Sequence, residues 1–147
     1  MTYSDYARAL LALLVWREAR GEIYQAKLAV AYSVLNRVEH PKWWGHTLGD
    51  VIGKKWQYSS MAAPGDPNLI AYPSSLDVSF VECLKAVDSA IAGTNINPVL
   101  MADSYFDVSI TAPVWATASC FIAQIGRLRF YNTDGDHPEN ITGSAAA

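Results

Sequence analysis

Residues 16–22 have the sequence Trp-Arg-Glu-Ala-Arg-Gly-Glu, and the fold depends on them because one helix ends there and another begins. The apolar run at residues 9–16 predicts the first helix. We expect Gly21 to end it, because a residue without a Cβ adopts the left-handed conformation at little cost. Glu18 then lies in the last turn of the first helix, and Glu22 at the start of the second.

The position of Glu18 predicts a raised pKa. Its carboxylate meets the negative end of the helix dipole, and the apolar Leu14 and Trp16 nearby disfavour the ionised form. A carboxylic acid that stays partly protonated near neutral pH is suited to be the general acid of a glycosidase. The alternative is that Arg17 and Arg20 pair with the two glutamates on a solvated surface, because structural ion pairs are common.

Length and composition indicate one soluble globular domain. The chain has 147 residues, of which 51% are hydrophobic and 17% charged. The net charge of −3 argues against a nucleic-acid partner, which requires a basic face. The apolar run at residues 9–16 is far shorter than the roughly 20 residues of a membrane span, and no small-residue cleavage site follows it. We therefore expect a monomer made in the cytoplasm without a signal peptide and without membrane insertion.

The remaining pattern predicts further helices and a few strands. Ser4 is placed to cap the first helix, and the broad apolar surface of residues 24–38 predicts a buried second helix. A third helix is expected to be capped by Ser74 or Ser75, to carry Leu76 on its apolar face and to end at Gly93. Residues 48–52 predict a short helix, and residues 57–59 and 100–107 predict extended segments. The domain is expected to comprise residues 1–131, followed by a polar, partly disordered tail at 132–147.

Several motifs together resemble the SleB/CwlJ cell-wall hydrolase family. They are Glu-Ala-Arg-Gly-Glu at 18–22, Val-Leu-Asn-Arg-Val at 34–38, Gln-Tyr-Ser at 57–59, the segment around Tyr105, and Ile-Gly at 125–126 leading to Phe-Tyr at 130–131. The family usually has Phe where this chain has Tyr58, and often has His where this chain has Leu128. The resemblance implies an α+β, lysozyme-like single domain with helices around a small antiparallel sheet. It also implies cleavage of the β-1,4 bond between N-acetylmuramic acid and N-acetylglucosamine in peptidoglycan.

The resemblance assigns the catalytic role to Glu18, which protonates the leaving oxygen. The residues expected to bind the glycan strand are Glu22, Gln57, Ser59, Tyr105 and Trp115. Retaining and inverting glycosidases place two carboxylates about 5–9.5 Å apart across the bond, and Glu18 and Glu22 are too close in sequence for that arrangement. We therefore expect a lytic transglycosylase that forms 1,6-anhydro ends.

Three other functions remain open on the sequence. A muramidase works with one glutamate and a positioned water, and an N-acetylmuramoyl-L-alanine amidase acts on a different bond. The third is a non-catalytic wall-binding or virion module. No zinc-binding motif is present, so no metal or cofactor is expected. Delivery to the wall is expected through a phage lysis system or a virion.

Aromatic residues and cysteines complete the expectations. Trp43, Trp44, Trp56 and Tyr58 are grouped in the Pro- and Gly-rich region, and at least one of them is expected to line a sugar-binding groove. The two cysteines, at positions 83 and 120, lie in apolar settings and are expected to be buried free thiols.

Overall fold

Helices on one side and a small sheet on the other make up the fold, which is seen in a computed structural model describing residues 2–54 and 57–133. The helices within these residues are α1 (Asp5–Ala19), α2 (Tyr24–Glu39), α3 (Leu48–Gly53), α4 (Ser59–Ala62) and α5 (Val78–Ala92), with 3-10 turns at Pro67–Ile70 and Ala118–Cys120. The strands are β1 (Ser104–Asp107), β2 (Phe121–Ile125) and β3 (Leu128–Tyr131). The predicted α+β architecture is confirmed.

The second helix is the centre of the domain. Every residue of α2 from position 26 to 38 is buried, as the broad apolar surface predicted. Both α1 and α5 pack against it. Burial of apolar surface stabilises a fold by roughly 25 cal/mol per Å², so α2 organises most of the hydrophobic stabilisation. No helix in the described part of the chain is both long enough and apolar enough to cross a membrane.

The ends of α1 match the prediction at one terminus only. Ser4 caps the helix as expected, because its Oγ accepts the backbone N–H of Ala7 at 3.1 Å. Gly21 stands directly after the Arg20 cap, where the helix was predicted to stop, but the predicted left-handed conformation was wrong, since the left-handed glycines lie elsewhere. Arg20 keeps a right-handed conformation, and the chain then turns through a hydrogen bond from Glu22 N–H to the carbonyl of Ala19.

The cap predicted for the third long helix was also wrong. Asp77 caps α5, because its carboxylate accepts the N–H groups of Ser79 and Phe80. Ser74 instead stabilises the turn before the helix, and Leu76 stands outside the helix and is 87% exposed. Gly93 ends α5 in the left-handed conformation, as predicted.

Two further expectations concern residues 57–59 and 132–147. Residues 57–59 do not form a strand: Gln57 lies in a turn, and Tyr58 directly precedes α4. Turn hydrogen bonds from Gln57 N–H to Lys54 and from Met61 N–H to Tyr58 replace the expected ladder. The predicted tail lies outside the described residues after Thr133, which is itself buried and bonds Asp103.

The sheet presents two different faces. Its strand order is β1-β3-β2, and all pairs are antiparallel. Tyr105 pairs with Phe130 and faces the helices, whereas Phe106 faces the other way and packs with Trp115 and Tyr131. The alternation of a strand therefore sends Tyr105 toward α1.

Both cysteines are free thiols, as expected. Cys83 is buried, but Cys120 is only half-buried, so the prediction of burial was wrong for the second one. Cys120 lies at the edge of the small aromatic cluster, where its neighbours cover it on one side only.

The β2–β3 hairpin contacts the α1–α2 corner through a glycine. Gly126 has φ +58°, and a Cβ placed there would lie 2.4 Å from Oε2 of Glu22. The glycine thus allows both the tight hairpin turn and the close approach of the Glu22 carboxylate.

We expect Gly126→Ala to destabilise the protein more than Gly93→Ala does. Both glycines have left-handed φ, so each substitution loses about 1 kcal/mol of unfolding free energy through the backbone. Nothing lies within 4 Å of a Cβ at Gly93, whereas the one at Gly126 also displaces Glu22, which adds up to about 1 kcal/mol. Urea unfolding of the two variants checks this, and equal losses would show that the Glu22 contact contributes nothing.

Candidate active site

Glu18 and Tyr105 meet at the junction between the helices and the sheet. The Tyr105 hydroxyl donates a hydrogen bond to Oε1 of Glu18 at 3.0 Å. Glu18 is partly exposed in the last turn of α1, whereas Tyr105 on β1 is 3% exposed. A buried, packed ring therefore holds the Glu18 carboxyl group in place.

The pKa of Glu18 is raised to about 7. Burial is the main cause, and the negative charge of Asp66 adds to it. The hydroxyl groups of Ser60 and Tyr105 act in the opposite direction, because they favour the carboxylate. The Ser60 hydroxyl acts on the carboxyl group although it makes no hydrogen bond of normal geometry with any described residue. The direction predicted from the sequence is observed, with burial as the leading cause.

The two arginines of the motif bind a loop, so the surface ion-pair alternative is wrong. The buried guanidinium of Arg17 donates to three backbone carbonyls, those of Ser60, Leu69 and Ala71, at 3.0, 3.2 and 3.1 Å. Arg20 lies over the ring of Trp16 and bonds the side chain of Asn68. Arg17 therefore fixes the loop that carries Ser60 and Asp66 against the end of α1.

Arg37 is a functional-site residue whose role the sequence did not predict. It is 0% exposed. Its Nε donates to the carbonyl of Asp103 at 2.6 Å, its Nη1 to Oε1 of Gln57 at 3.2 Å, and its Nη2 to Oγ of Ser104 at 3.3 Å. Arg37 thus connects α2 to β1 and to the turn before α4, the two segments that meet at Glu18. The available signal was the position of Arg37 within the Val-Leu-Asn-Arg-Val motif at 34–38, on a helix predicted to be buried.

Within the described part of the chain, three aromatic rings lie around the Arg37 guanidinium. Its Cζ lies 5.8, 5.1 and 5.3 Å from the ring centroids of Trp43, Trp44 and Tyr58. The indole N–H of Trp44 also donates to the carbonyl of Arg37 at 2.7 Å. Cation–π contacts of this kind offset part of the loss of hydration of a buried cation, so these rings pack around Arg37. Trp56 lies outside the described residues.

The predicted glycan-binding residues are not all brought together. Gln57 is 1% exposed and bonds Arg37, and Ser59 is half-buried on α4. Trp115 is buried on the far face of the sheet, in the cluster with Phe106 and Tyr131. Glu22 is half-buried beside the hairpin turn.

Ser60, one position after the predicted Ser59, is the serine that faces Glu18. The sequence missed it because a strand was expected at 57–59, and a helical turn changes which neighbour points inward. Leu128, where the resembling family often has His, is buried in the core.

Two open clefts lie apart from this centre, and the described residues form no metal-binding cluster. Clefts of about 290 and 480 Å³ adjoin α3, and neither lining includes Glu18 or Tyr105. Across residues 2–54 and 57–133, no three His, Cys, Asp or Glu side chains come close enough together to hold a metal ion.

The chain resembles known proteins both in sequence and in fold. The family profile described as Cell Wall Hydrolase matches residues 21–131, so Glu18 lies just before the matched segment. A comparison with curated proteins gave no significant match.

Two solved structures resemble this one. The catalytic domain of the Bacillus cereus SleB protein is 28% identical, with a TM-score of 0.71 over 89% of this chain and 93% of that chain. The catalytic domain of the germination-specific lytic transglycosylase SleB from Bacillus anthracis is also 28% identical, with a TM-score of 0.70 over 88% of this chain and 97% of that chain. The predicted lysozyme-like fold class is confirmed by these similarities.

We expect Glu18→Gln to stabilise the protein at about pH 8 and to leave its stability unchanged at about pH 4. The folded-state pKa of about 7 lies above the ordinary value of 4.5. The wild type therefore has its full stability below the ordinary value and loses stability as the pH rises through 7. Glutamine stays neutral, so the variant gains up to about 3 kcal/mol at the higher pH. Urea unfolding at both pH values checks this, and a difference that does not change with pH contradicts it.

Proposed function

The chain belongs to the cell wall hydrolase family, and we propose that it is a lytic transglycosylase of peptidoglycan in which Glu18 is the single acid and base. The bond cleaved is the β-1,4 link between N-acetylmuramic acid and N-acetylglucosamine. The observation that carries the proposal is the Glu18 carboxyl group, with a pKa of about 7, held by the Tyr105 hydroxyl. The description of the Bacillus anthracis SleB domain as a lytic transglycosylase supports it.

The first step is proton donation by Glu18. With a pKa of about 7, roughly half of the Glu18 side chains carry a proton at neutral pH. The proton passes to the glycosidic oxygen as the bond from that oxygen to C1 of the muramic residue breaks. N-acetylglucosamine leaves with a 4-hydroxyl group, and positive charge develops at C1. The hydroxyl groups of Tyr105 and Ser60 stabilise the carboxylate that remains.

The second step uses the same carboxylate as a base. Glu18 removes the proton from the 6-hydroxyl of the muramic residue, and O6 forms a bond to C1. The product is a 1,6-anhydro ring, and Glu18 returns to its protonated form. No water is consumed, so a second carboxylate to activate water is not required.

The other carboxylates near the centre have structural partners. Asp103 accepts hydrogen bonds from Ser104 and Thr133, and Asp107 contacts Arg127. Asp66 caps the 3-10 turn through the N–H of Asn68 at 2.8 Å. The charge of Asp66 acts on Glu18. Asp66 is therefore the carboxylate that a hydrolytic muramidase would use to position water.

We expect Glu18→Gln to abolish the release of soluble fragments from purified peptidoglycan. A positioned general acid contributes about 10²–10⁴-fold in rate, and glutamine cannot donate a proton to the leaving oxygen. Glu22→Gln is the matched control and should lose far less activity, because Glu22 contacts the hairpin turn. Retention of more than about a tenth of the activity by Glu18→Gln would exclude Glu18 as the acid.

We expect the products to carry 1,6-anhydromuramic ends. Mass spectrometry of the fragments should show ends lighter by one water than reducing ends, and borohydride should leave them unchanged. Asp66→Asn should keep both the rate and the anhydro products. A muramidase would be identified if the wild type gave mostly borohydride-reducible ends and the Asp66→Asn variant no longer produced them.

A further inference from the structure

Tyr58 brings a buried hydroxyl group to the reaction centre, and the mechanism above does not use it. The residue is 1% exposed, and its hydroxyl has no hydrogen-bond partner among the described residues. A buried donor without an acceptor destabilises a fold. Tyr58 directly precedes α4, the helix that carries Ser60.

The surroundings of Tyr58 connect it to Glu18. Its ring lies against the Arg37 guanidinium at 5.3 Å. Burial raises the pKa of Tyr58, the charges of Glu18 and Asp103 raise it further, and Arg37 opposes them. Tyr58 in turn acts on the pKa of Tyr105. The two tyrosines and Glu18 therefore form one electrostatic cluster.

We propose that Tyr58 is a positioning residue whose hydroxyl stabilises the anionic form of Glu18, together with Tyr105 and Ser60. The inference rests on the proposed function, in which this anion forms when the leaving oxygen takes the proton. The charged and titratable groups around Glu18 are Tyr105 from β1, Tyr58 from the start of α4 and Asp66 from the following loop, with Arg37 of α2 behind the tyrosine rings.

The hydroxyl has its effect when Glu18 is ionised. A protonated carboxyl group has fewer free acceptor sites than a carboxylate, which accepts about four hydrogen bonds. Bonds to an ionised acceptor are also roughly twice as strong as neutral ones. A donor left without a partner while Glu18 is protonated therefore gains its partner as charge develops on Glu18, and an interaction of that kind increases kcat.

Tyr58→Phe tests the proposal kinetically. We expect kcat to fall about tenfold with KM changed less than about twofold. Glu18 acts in its protonated form, so its pKa sets the alkaline limb of the pH profile of kcat. Loss of a donor to the anion raises that pKa, and the alkaline limb should move about one unit to higher pH. A limb that stays in place or moves to lower pH would overturn the proposal.

Tyr3→Phe is the matched control. The Tyr3 hydroxyl is also buried and lacks a partner among the described residues, but it lines the cleft beside α3 and the start of α1. At about pH 4, where Glu18 is neutral, removal of either hydroxyl relieves an unpartnered donor and should raise the Tm slightly. Only Tyr58→Phe should move the alkaline limb of the pH profile of kcat. An equal movement in both variants would overturn the positioning role assigned to Tyr58.

A double-mutant cycle measures the coupling between Tyr58 and Glu18 without an activity assay. At about pH 8, the gain in Tm from Glu18→Gln should be about 4 °C larger in the Tyr58→Phe background than in the wild type. At about pH 4, where Glu18 is neutral, the two gains should be equal. Equal gains at both pH values would overturn the role of Tyr58 even if the enzyme is a transglycosylase. An unequal gain at the higher pH supports that role even if the proposed reaction fails.

Discussion

The guanidinium of Arg37 connects the three parts of the domain that meet at Glu18. It extends from the central helix α2 to the backbone before β1 and to Gln57 before α4. Because Tyr105 follows on β1 and Ser60 follows on α4, the positions of both hydroxyl groups depend on this one buried cation. Its burial is tolerated because its donors have acceptors and aromatic rings surround it.

Burial of Glu18 has opposite consequences for stability and for chemistry. It raises the pKa to about 7, which supplies a proton donor at neutral pH and weakens the fold as that proton is lost. Arg17 offsets part of this loss of stability, because its hydrogen bonds hold the segment from Ser60 to Ala71 against α1. The arrangement is a stability–activity compromise of the kind expected at an active site.

The sequence predicted the features that depend on local chemistry. Residues close in the chain account for three of these features: the cap at Ser4, the end of α5 at Gly93 and the raised pKa of Glu18. Tyr105, which is 87 residues away from Glu18, was found only through the family resemblance. The family itself and the fold class were predicted in the same way and are confirmed.

The features that were missed depend on tertiary contacts. The guanidinium of Arg37 donates hydrogen bonds to partners 20 to 67 residues away, so its role could not be inferred from spacing. Ser60 was missed because the chain turns helically where a strand was expected. Trp115 matched a motif, yet it lies in a turn and packs with Phe106 and Tyr131 on the face of the sheet opposite Tyr105. The measurement that tests the account most directly is a carbon-13 NMR titration of the Glu18 carboxyl group in the wild-type protein. The account predicts a midpoint at about 7, and a midpoint near the ordinary value of 4.5 would contradict it.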